Sequence, residues 1–327
     1  MKDTDYLALS ARIRVMENRL LNRERRERMI DAGTDDEALK ILGECGYTEP
    51  EDTSTEAVNQ VLTRARVELM ADLSSALPDP ALLEVFQIKY DYHNAKVLLK
   101  SEAIGENGSR LLMPGGRYTP QFLADQFHRG SMEVTETFAG AVRRANEILS
   151  EQRDPQRADA VLDRACYAEM TQAAEKSGSE FLKGYVRLSV DAANLRTAVR
   201  CARMGAGEEL LDESLLPGGS VTSAAVREDA AGLERTFRDT PLARAAAEGV
   251  RCMAPGSGSL TEFEKLCDGA LTSYLAQAKR IPFGEQPVVG YVCAREAEAT
   301  AIRTILAGRK AGLSGEAIRE RLRDCYV

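Results

Sequence analysis

Asp91-Tyr92-His93-Asn94-Ala95-Lys96-Val97-Leu98-Leu99-Lys100 recurs 100 residues further on as Asp191-Ala192-Ala193-Asn194-Leu195-Arg196-Thr197-Ala198-Val199-Arg200. Both stretches have the pattern Asp-x-x-Asn-apolar-basic-x-x-apolar-basic. A weaker third copy begins at Glu298 and keeps the basic residue as Arg303, with Ala301 in place of the Asn. Similarity at a nearly fixed spacing is typical of a repeat architecture. The sequence therefore predicts three related units in one chain.

The residues after each of the first two copies also repeat. The first copy leads to Leu112-Met113-Pro114-Gly115-Gly116-Arg117-Tyr118-Thr119, here called the first stop, and the second to Leu215-Leu216-Pro217-Gly218-Gly219-Ser220-Val221-Thr222, the second stop. Pro-Gly-Gly is incompatible with a helix interior, because proline lacks an amide donor and glycine is a weak helix former. After the third copy the counterpart is only Ala311-Gly312-Leu313-Ser314.

The residues between the stops predict an all-α fold. Ala, Leu, Arg and Glu dominate, and the one strand-like run, residues 288–292, leads directly into a helical pattern and is interpreted as the buried start of a helix. The same order of elements occurs three times along the chain: a capped helix, further helices, a long helix and a stop. The three cycles cover residues 35–111, 119–216 and 222–312. The corresponding domains are 1–111, 112–216 and 217–327, arranged about a pseudo-three-fold axis.

Two helices are left over, a long one from about Asp5 to Ile30 and a short one from about Ser314 to Tyr326. We expect them to meet in space and close the arrangement. The long one has a buried face at helical spacing and a solvated, charged face. The buried face comprises Tyr6, Leu9, Ile13, Met16 and Leu20, and the solvated face includes Arg12, Arg19, Arg23 and Arg26.

Helix starts are marked by hydroxyl or acidic residues ahead of apolar pairs. Thr119, Thr222 and Ser314 are predicted N-caps, and Asp35 has the same form. Loops are expected at 103–109, 206–209 and 255–259.

Composition excludes several classes of protein. Apolar residues make up 44% of the 327 residues, which excludes general disorder, and the net charge of −8 disfavours nucleic-acid binding, since that needs clustered cations. The sequence contains no apolar run long enough for a membrane span, and its start does not resemble a signal peptide. The seven cysteines are scattered, so we expect free, mostly buried thiols in a reducing compartment.

The usual motifs of catalysis and cofactor binding are absent from the sequence, and we predict no catalytic, metal or cofactor site. It contains neither a P-loop nor a dinucleotide-binding glycine motif. His93 has Ala193 as its counterpart in the next copy and is interpreted as a helix-surface or packing residue, and His128 lies near a predicted helix end. The Asp35-Asp36-Glu37 run fits a helix start better than an Asp-rich magnesium motif.

The Asp-x-x-Asn pattern allows two interpretations. Asp and Asn three residues apart share a helix face and could form a polar site for a ligand or partner. A hydrogen-bonded network that holds the repeat together explains better why the pattern recurs in equivalent positions, since buried polar groups must be paired. The predicted network comprises Asp91, Asn94, Lys96, Asp191, Asn194, Arg196, Glu298 and Arg303.

Several blocks of the sequence resemble a known family, the C subunits (d in eukaryotes) of V/A-type rotary ATPases. The similar blocks run from the first predicted helix to the last residue: Tyr6-x4-Ala11-Arg12-Ile13-Arg14, residues 89–100, Asp191-x2-Asn194-Leu195-Arg196-Thr197, Pro282-Phe283-Gly284-x2-Pro287-x2-Gly290-Tyr291, and residues 318–327. Residues 210–259 match poorly, and the third copy lacks its Asn.

The resemblance implies a funnel-shaped, non-catalytic subunit that binds no nucleotide and needs no cofactor. Its implied partners are the central-shaft subunits D and F and the membrane proteolipid ring, on the cytoplasmic face of the membrane and without insertion into it. The ring, not this subunit, sets whether protons or sodium ions move. Two alternatives remain open from the residues alone: a free-standing helical repeat scaffold, and an acidic helical enzyme with converging carboxylates.

Overall fold

The computed structural model describes residues 3–129, 133–254 and 256–327, and this part of the chain is all-α, without a strand. The predicted fold class is confirmed. The helices are α1 Leu7–Glu17, α2 Arg23–Asp31, α3 Asp35–Glu44, α4 Thr55–Ala76, α5 Glu84–Ile104, α6 Pro120–Arg129, α7 Glu136–Glu151, α8 Pro155–Ser177, α9 Glu180–Met204, α10 Glu208–Ser214, α11 Ser223–Val226, α12 Ala230–Phe237, α13 Ala243–Met253, α14 Leu260–Ala276, α15 Glu285–Lys310 and α16 Gly315–Arg321.

The chain folds into two compact units. Unit 1 combines the two chain ends, Met1–Pro80 and Lys265–Val327, and unit 2 is the continuous segment Ala81–Glu264. Most of α14, from Lys265 onward, belongs to unit 1. Division into three repeat domains, and their pseudo-three-fold arrangement, stay predictions.

Unit 1 is held together by helices from opposite ends of the sequence. Its core joins apolar residues of α2, α3 and α4 to Ile302 and Ile305 of α15 and Ile318 of α16. Each of these three isoleucines is at most 1% exposed, and burying such a side chain stabilises the fold by about 1.5–3 kcal/mol. Arg26 donates a 2.6 Å hydrogen bond to the carbonyl of Arg323. The prediction that the first and last helices meet is confirmed.

The predicted N-terminal helix is wrong in one respect, because it is two helices. α1 ends at Glu17, and α2 begins at Arg23 after Asn22, whose side chain caps it by accepting from the Arg25 amide. The buried face of α1 agrees with the prediction, with Ile13 fully buried and Met16 half-buried. The predicted solvated face fails at Arg26, which is buried and bonded to a backbone carbonyl.

The predicted caps Thr119, Thr222 and Ser314 are confirmed, since each hydroxyl accepts an amide of the first turn at 3.2–3.3 Å. Asp35 is not a cap. Thr34 takes that role, and Asp35 opens α3, where its charge is favourable at the helix N-terminus. The last helix is also shorter than predicted, since α16 ends at Arg321 and the chain continues extended.

Unit 2 is built around α5, α8 and α9, with α7 packed against α8 and α13 against α9. Tyr92 and Phe138 make an edge-to-face contact with ring centroids 4.9 Å apart in the core between α5 and α7. Such a pair adds about 0.5–1.5 kcal/mol beyond its buried area.

The remaining expectations concern local features. Residues 288–292 lie inside α15, as predicted, and all seven cysteines are free, six of them buried. His93 lies exposed on α5, and His128 is in the last turn of α6. The loop predicted at 206–209 is shorter, because α10 already begins at Glu208. The loop at 255–259 is present from Gly256 onward, and Pro255 lies outside the described residues.

Candidate functional site

Asp91 and Asn94 of α5 bind the backbone of the first stop. The side-chain amide of Asn94 donates to the carbonyl of Met113 and its oxygen accepts from the Met113 amide, both at 2.8 Å. Asp91 accepts from the Tyr118 amide at 3.3 Å and from the Arg117 side chain at 2.6 Å. We call these hydrogen bonds the first fastening.

Asp191 and Asn194 of α9 bind the second stop through equivalent atoms. Asn194 donates to the Leu216 carbonyl at 2.9 Å and accepts from the Leu216 amide at 2.7 Å. Asp191 accepts from the amides of Ser220 and Val221 at 3.1 and 3.0 Å. These bonds form the second fastening. The Asp-x-x-Asn pattern and the stop are therefore the two halves of one hydrogen-bonded device.

The second glycine of each stop is required by this device. A Cβ atom on Gly116 would lie 2.1 Å from Asp91 Oδ1, and one on Gly219 would lie 2.2 Å from Asp191 Oδ1. Real Cβ atoms do not approach other atoms so closely. The first glycine of each pair is required by the backbone conformation of the turn, since Gly115 and Gly218 have positive φ values of +100° and +95°, which other residues rarely adopt.

The first fastening contains a charge cluster that the second lacks. Arg117 lies at the position of Ser220, and its guanidinium binds Asp91 at 2.6 Å and Glu169 of α8 at 2.8 Å, with Glu84 at 3.7 Å. Glu169 in turn accepts from the Thr135 hydroxyl at 2.5 Å. The cluster connects the first stop to α8 and to the start of α7.

Burial controls the electrostatics of the fastenings. It raises the pKa of Asp91 to about 6, although Arg117 and the backbone amides act in the opposite direction. Burial also raises the pKa of Asp191, against the lowering effect of the Val221 and Ser220 amides. Both aspartates are at most 3% exposed. Each fastening thus holds a carboxylate whose charged form is disfavoured by desolvation and supported only by local donors.

The basic residues of the repeated pattern contact a different helix. Lys96 and Lys100 of α5 pair with Asp163 and Asp159 of α8, each at 2.7 Å. Arg196 and Arg200 of α9 both pair with a single acid, Glu264 of α14, each at 2.6 Å. As the five-residue spacing from Asp to the first basic residue indicates, the cations point away from the fastening. They attach the long helix to a neighbour.

The third copy uses other partners. Glu298 of α15 accepts from the Tyr47 hydroxyl at 2.7 Å and from the Leu21 amide, and it also pairs with Arg295. Burial raises its pKa, and Arg295 opposes that shift. Arg303 donates to Asn59 of α4 at 2.7 Å. The eight predicted residues therefore do not all bind one another. The Asp and Asn of the first two copies bind their stops, Lys96 and Arg196 bind acids of neighbouring helices, and Glu298 and Arg303 bind different elements.

Sequence reasoning missed the partners of these residues, and Arg117, Tyr47 and Leu21 show why. Arg117 directly follows a repeated Gly-Gly, and this position is a signal that could have identified it as a member of the site. No local signal relates it to Glu169, which lies 52 residues further on. Tyr47 likewise lies 251 residues from Glu298. Leu21 contributes only its backbone amide, which a side-chain pattern does not reveal.

The described residues offer no metal centre, because they contain no group of three His, Cys, Asp or Glu side chains placed to hold an ion. Within the same ranges, no helix has both the length and the apolar character needed to cross a membrane. The contacts described above join helices to stops and to neighbouring helices.

Comparison with known proteins identifies relatives over nearly the whole chain. The model of the family described as ATP synthase (C/AC39) subunit matches residues 9–321. The chain is 25% identical to the C subunit of the V-type sodium ATPase of Enterococcus hirae, over 98% of this chain and 99% of that protein. It is also 25% identical to the C subunit of the V-type ATP synthase of Thermus thermophilus, over 97% and 98% of the two chains. Identity to the C subunit of the A-type ATP synthase of Methanocaldococcus jannaschii is again 25%, over 97% and 86%.

Proposed function

Because the chain belongs to the ATP synthase (C/AC39) subunit family, we propose that it is a non-catalytic subunit of a V/A-type rotary ATPase. In this role it links the rotating shaft, subunits D and F, to the membrane proteolipid ring on the cytoplasmic face. The observation that carries the proposal is the end-to-end match, which covers 98% of this chain and 99% of the C subunit of a V-type sodium ATPase.

The build of the helices supports a mechanical role. The three helices that carry the repeated pattern are 21, 25 and 26 residues long, which corresponds to roughly 30–40 Å at 1.5 Å per residue. Each is attached sideways by ion pairs or hydrogen bonds to a neighbouring helix, and α5 and α9 are also fastened to their own stops. A part that transmits torque needs such cross-connections, because they resist sliding of one helix along another.

One end of unit 2 carries exposed apolar side chains. Ile104 and Met204, the last residues of α5 and α9, are 68% and 63% exposed. They lie at the same end of the unit, because the start of α8 reaches both: Asp159 pairs with Lys100 of α5, and Arg157 pairs with Glu209 just after α9. We propose that this end contributes to one of the two interfaces, with the other interface at the opposite helix ends.

Affinity purification tests the proposal as a whole. A tagged full-length chain, expressed in its own cells and isolated at low salt, should bring down two shaft subunits and a small, highly apolar proteolipid. Raising the salt concentration should release them, since charged residues make up 29% of the chain and salt screens the attraction between exposed charges. Absence of all three at low salt would favour the free-standing scaffold. Appreciable ATP hydrolysis by the isolated chain would contradict the non-catalytic role.

A matched pair of variants separates the interfaces. The double variant Ile104→Asp, Met204→Asp should lose one class of partner, shaft or proteolipid, and keep the other. Lys176→Asp, at the opposite end of α8 and 73% exposed at its side chain, should keep the class that the double variant loses. Far-ultraviolet circular dichroism (CD) of the purified variants checks that they are folded. Unchanged recovery of both classes by the double variant would exclude this end as an interface.

A further inference from the structure

We propose that residues 7–35, here called the N-terminal strap, serve as the missing stop of the third copy and form the part of unit 1 that opens first. The strap comprises α1, α2 and the segments that connect and follow them. Opening means that it leaves α15 while the rest of unit 1 stays folded. This inference concerns the folding of the chain itself and does not depend on the partners proposed above.

The strap runs along α15 in the same direction. Near its start, Ser10 exchanges two hydrogen bonds, of 3.2 and 3.3 Å, with the backbone of Gly284, directly before α15. In its middle, the Leu21 amide donates to Glu298. At its end, Asp35 pairs with Arg309, one residue before the end of α15, at 3.0 Å. Contacts at start, middle and end in the same order place the strap parallel to α15 along the whole length of that helix.

The middle of the strap takes the place of a stop. Leu20-Leu21 is a buried pair, 3% and 2% exposed, like Leu215-Leu216 at 2% and 6%. In the second copy the amide of the second leucine is bound by Asn194, and Met113 is bound in the same way in the first copy. Ala301 has no side-chain oxygen to offer the Leu21 amide. Glu298, one methylene longer than the Asp it replaces, binds it instead.

The third fastening differs from the other two in how the chain connects it. The bonded residues are 19 and 22 positions apart in the first two copies, against 277 in the third. In the first two copies a short connection keeps the stop beside its own helix when the bond breaks, whereas no short connection joins the strap to α15. The strap is also interrupted between Glu17 and Arg23, so it is not one stiff rod.

The outer contacts of the strap are open to water. Arg319 pairs with Glu27 and Asp31 at 2.7 Å, with side chains that are 38–62% exposed. Such pairs contribute little to stability. The inner contacts combine the buried hydrogen bonds of Ser10 and of the Leu21 amide with apolar packing of the fully buried Ile13 and Met29. The closed form is therefore the stable one, and opening has a free energy below that of global unfolding, as expected for a cooperative sub-unit of a fold.

Hydrogen exchange with mass spectrometry on the full chain tests this. In the wild type, peptides covering the strap should exchange faster than the buried half of α15, residues 288–302. Glu298→Ala should accelerate exchange of the strap by about tenfold, a change of about 1.4 kcal/mol in the opening equilibrium. Peptides covering the second stop should change by less than about twofold, because they belong to unit 2.

Two variants serve as controls. Glu298→Gln keeps an oxygen that can accept from the Leu21 amide and the Tyr47 hydroxyl, so it should recover most of the protection. Asn194→Ala should show the reverse pattern, with faster exchange at the second stop and an unchanged strap. The proposal is overturned if strap and α15 exchange together at one rate in the wild type, or if Glu298→Ala accelerates both stops and the strap alike.

Discussion

Removing the side chain of Asn194 measures the energetic contribution of one fastening. In Asn194→Ala, the amide and the carbonyl of Leu216 both lose their partner, and Leu216 is only 6% exposed, so water cannot readily replace them. An unsatisfied buried polar group costs about 1–3 kcal/mol. For two such groups we therefore expect a loss of about 2–5 kcal/mol in the free energy of unfolding of unit 2.

The equivalent change in the first copy should cost less. Asn94→Ala frees the same two backbone groups, but on Met113, which is half-buried and within reach of water. Water can satisfy groups of this kind at little net cost, so we expect a loss of about 1–2 kcal/mol. Asn146, exposed on α7, provides a matched control, since a surface Asn→Ala change is expected to stay within about 0.5 kcal/mol.

Urea unfolding followed by far-ultraviolet CD gives the stability change, and hydrogen exchange of peptides covering the second stop locates it. The ranking is the decisive result: Asn194→Ala most destabilising, Asn94→Ala less so, and Asn146→Ala close to neutral. A loss below about 1 kcal/mol for Asn194→Ala, or a larger loss for Asn94→Ala, would refute the view that the fastening is held by desolvated hydrogen bonds.

Three further predictions concern the same devices. Gly219→Ala places a Cβ 2.2 Å from Asp191 Oδ1 and should cost about 1–3 kcal/mol in urea unfolding, whereas Gly43→Ala, a helical position with open space, should stabilise by about 0.5–1 kcal/mol. Burial raises the pKa of Asp91 to about 6. As the pH falls, the folded chain therefore takes up this proton at a higher pH than the unfolded chain does. The free energy of unfolding should rise through this group as the pH falls from about 6 towards 4. Asp91→Asn should therefore reduce that rise, by at most about 1.4 kcal/mol per pH unit, and an equal slope in both proteins would contradict the assignment. Arg117→Met removes the cation that pairs with Asp91 and Glu169, at a position where the arginine side chain is only 13% exposed. The two carboxylates would lose their partner, so the change should cost about 3–5 kcal/mol in thermal unfolding. A neutral result would show that these carboxylates lie in contact with water.

Much of the fold could be predicted from the sequence because its signals are local. Thr119, Thr222 and Ser314 cap the helices that they precede, since a hydroxyl reaches only the next turn of its own chain. The two long helices end earlier than Pro-Gly-Gly indicates, at Ile104 and Met204, where Gly105 and Gly205 adopt the left-handed conformation. The errors were also local: the N-terminal helix breaks at residues 18–22, a stretch without proline or glycine that would mark the interruption.

For the candidate site, the sequence indicated some of the residues but not their partners or geometry. The recurrence of Asp-x-x-Asn indicated a structural role for Asp91, Asn94, Asp191 and Asn194. Which groups they bind was not visible, because the partners are backbone amides and carbonyls of the stops and not side chains with a recognisable pattern.

By itself, the sequence determined the helical fold class, the caps of several helices and the positions of the two stops, since helix propensity, capping and turn chemistry act over a few residues. Only the tertiary structure decided what completes the third copy. Its long helix has no Pro-Gly-Gly stop after it, and Glu298 binds the amide of Leu21, 277 residues away. Contacts at that separation depend on how distant helices pack around a shared core. A periodic pattern along the chain does not specify which of those helices come into contact.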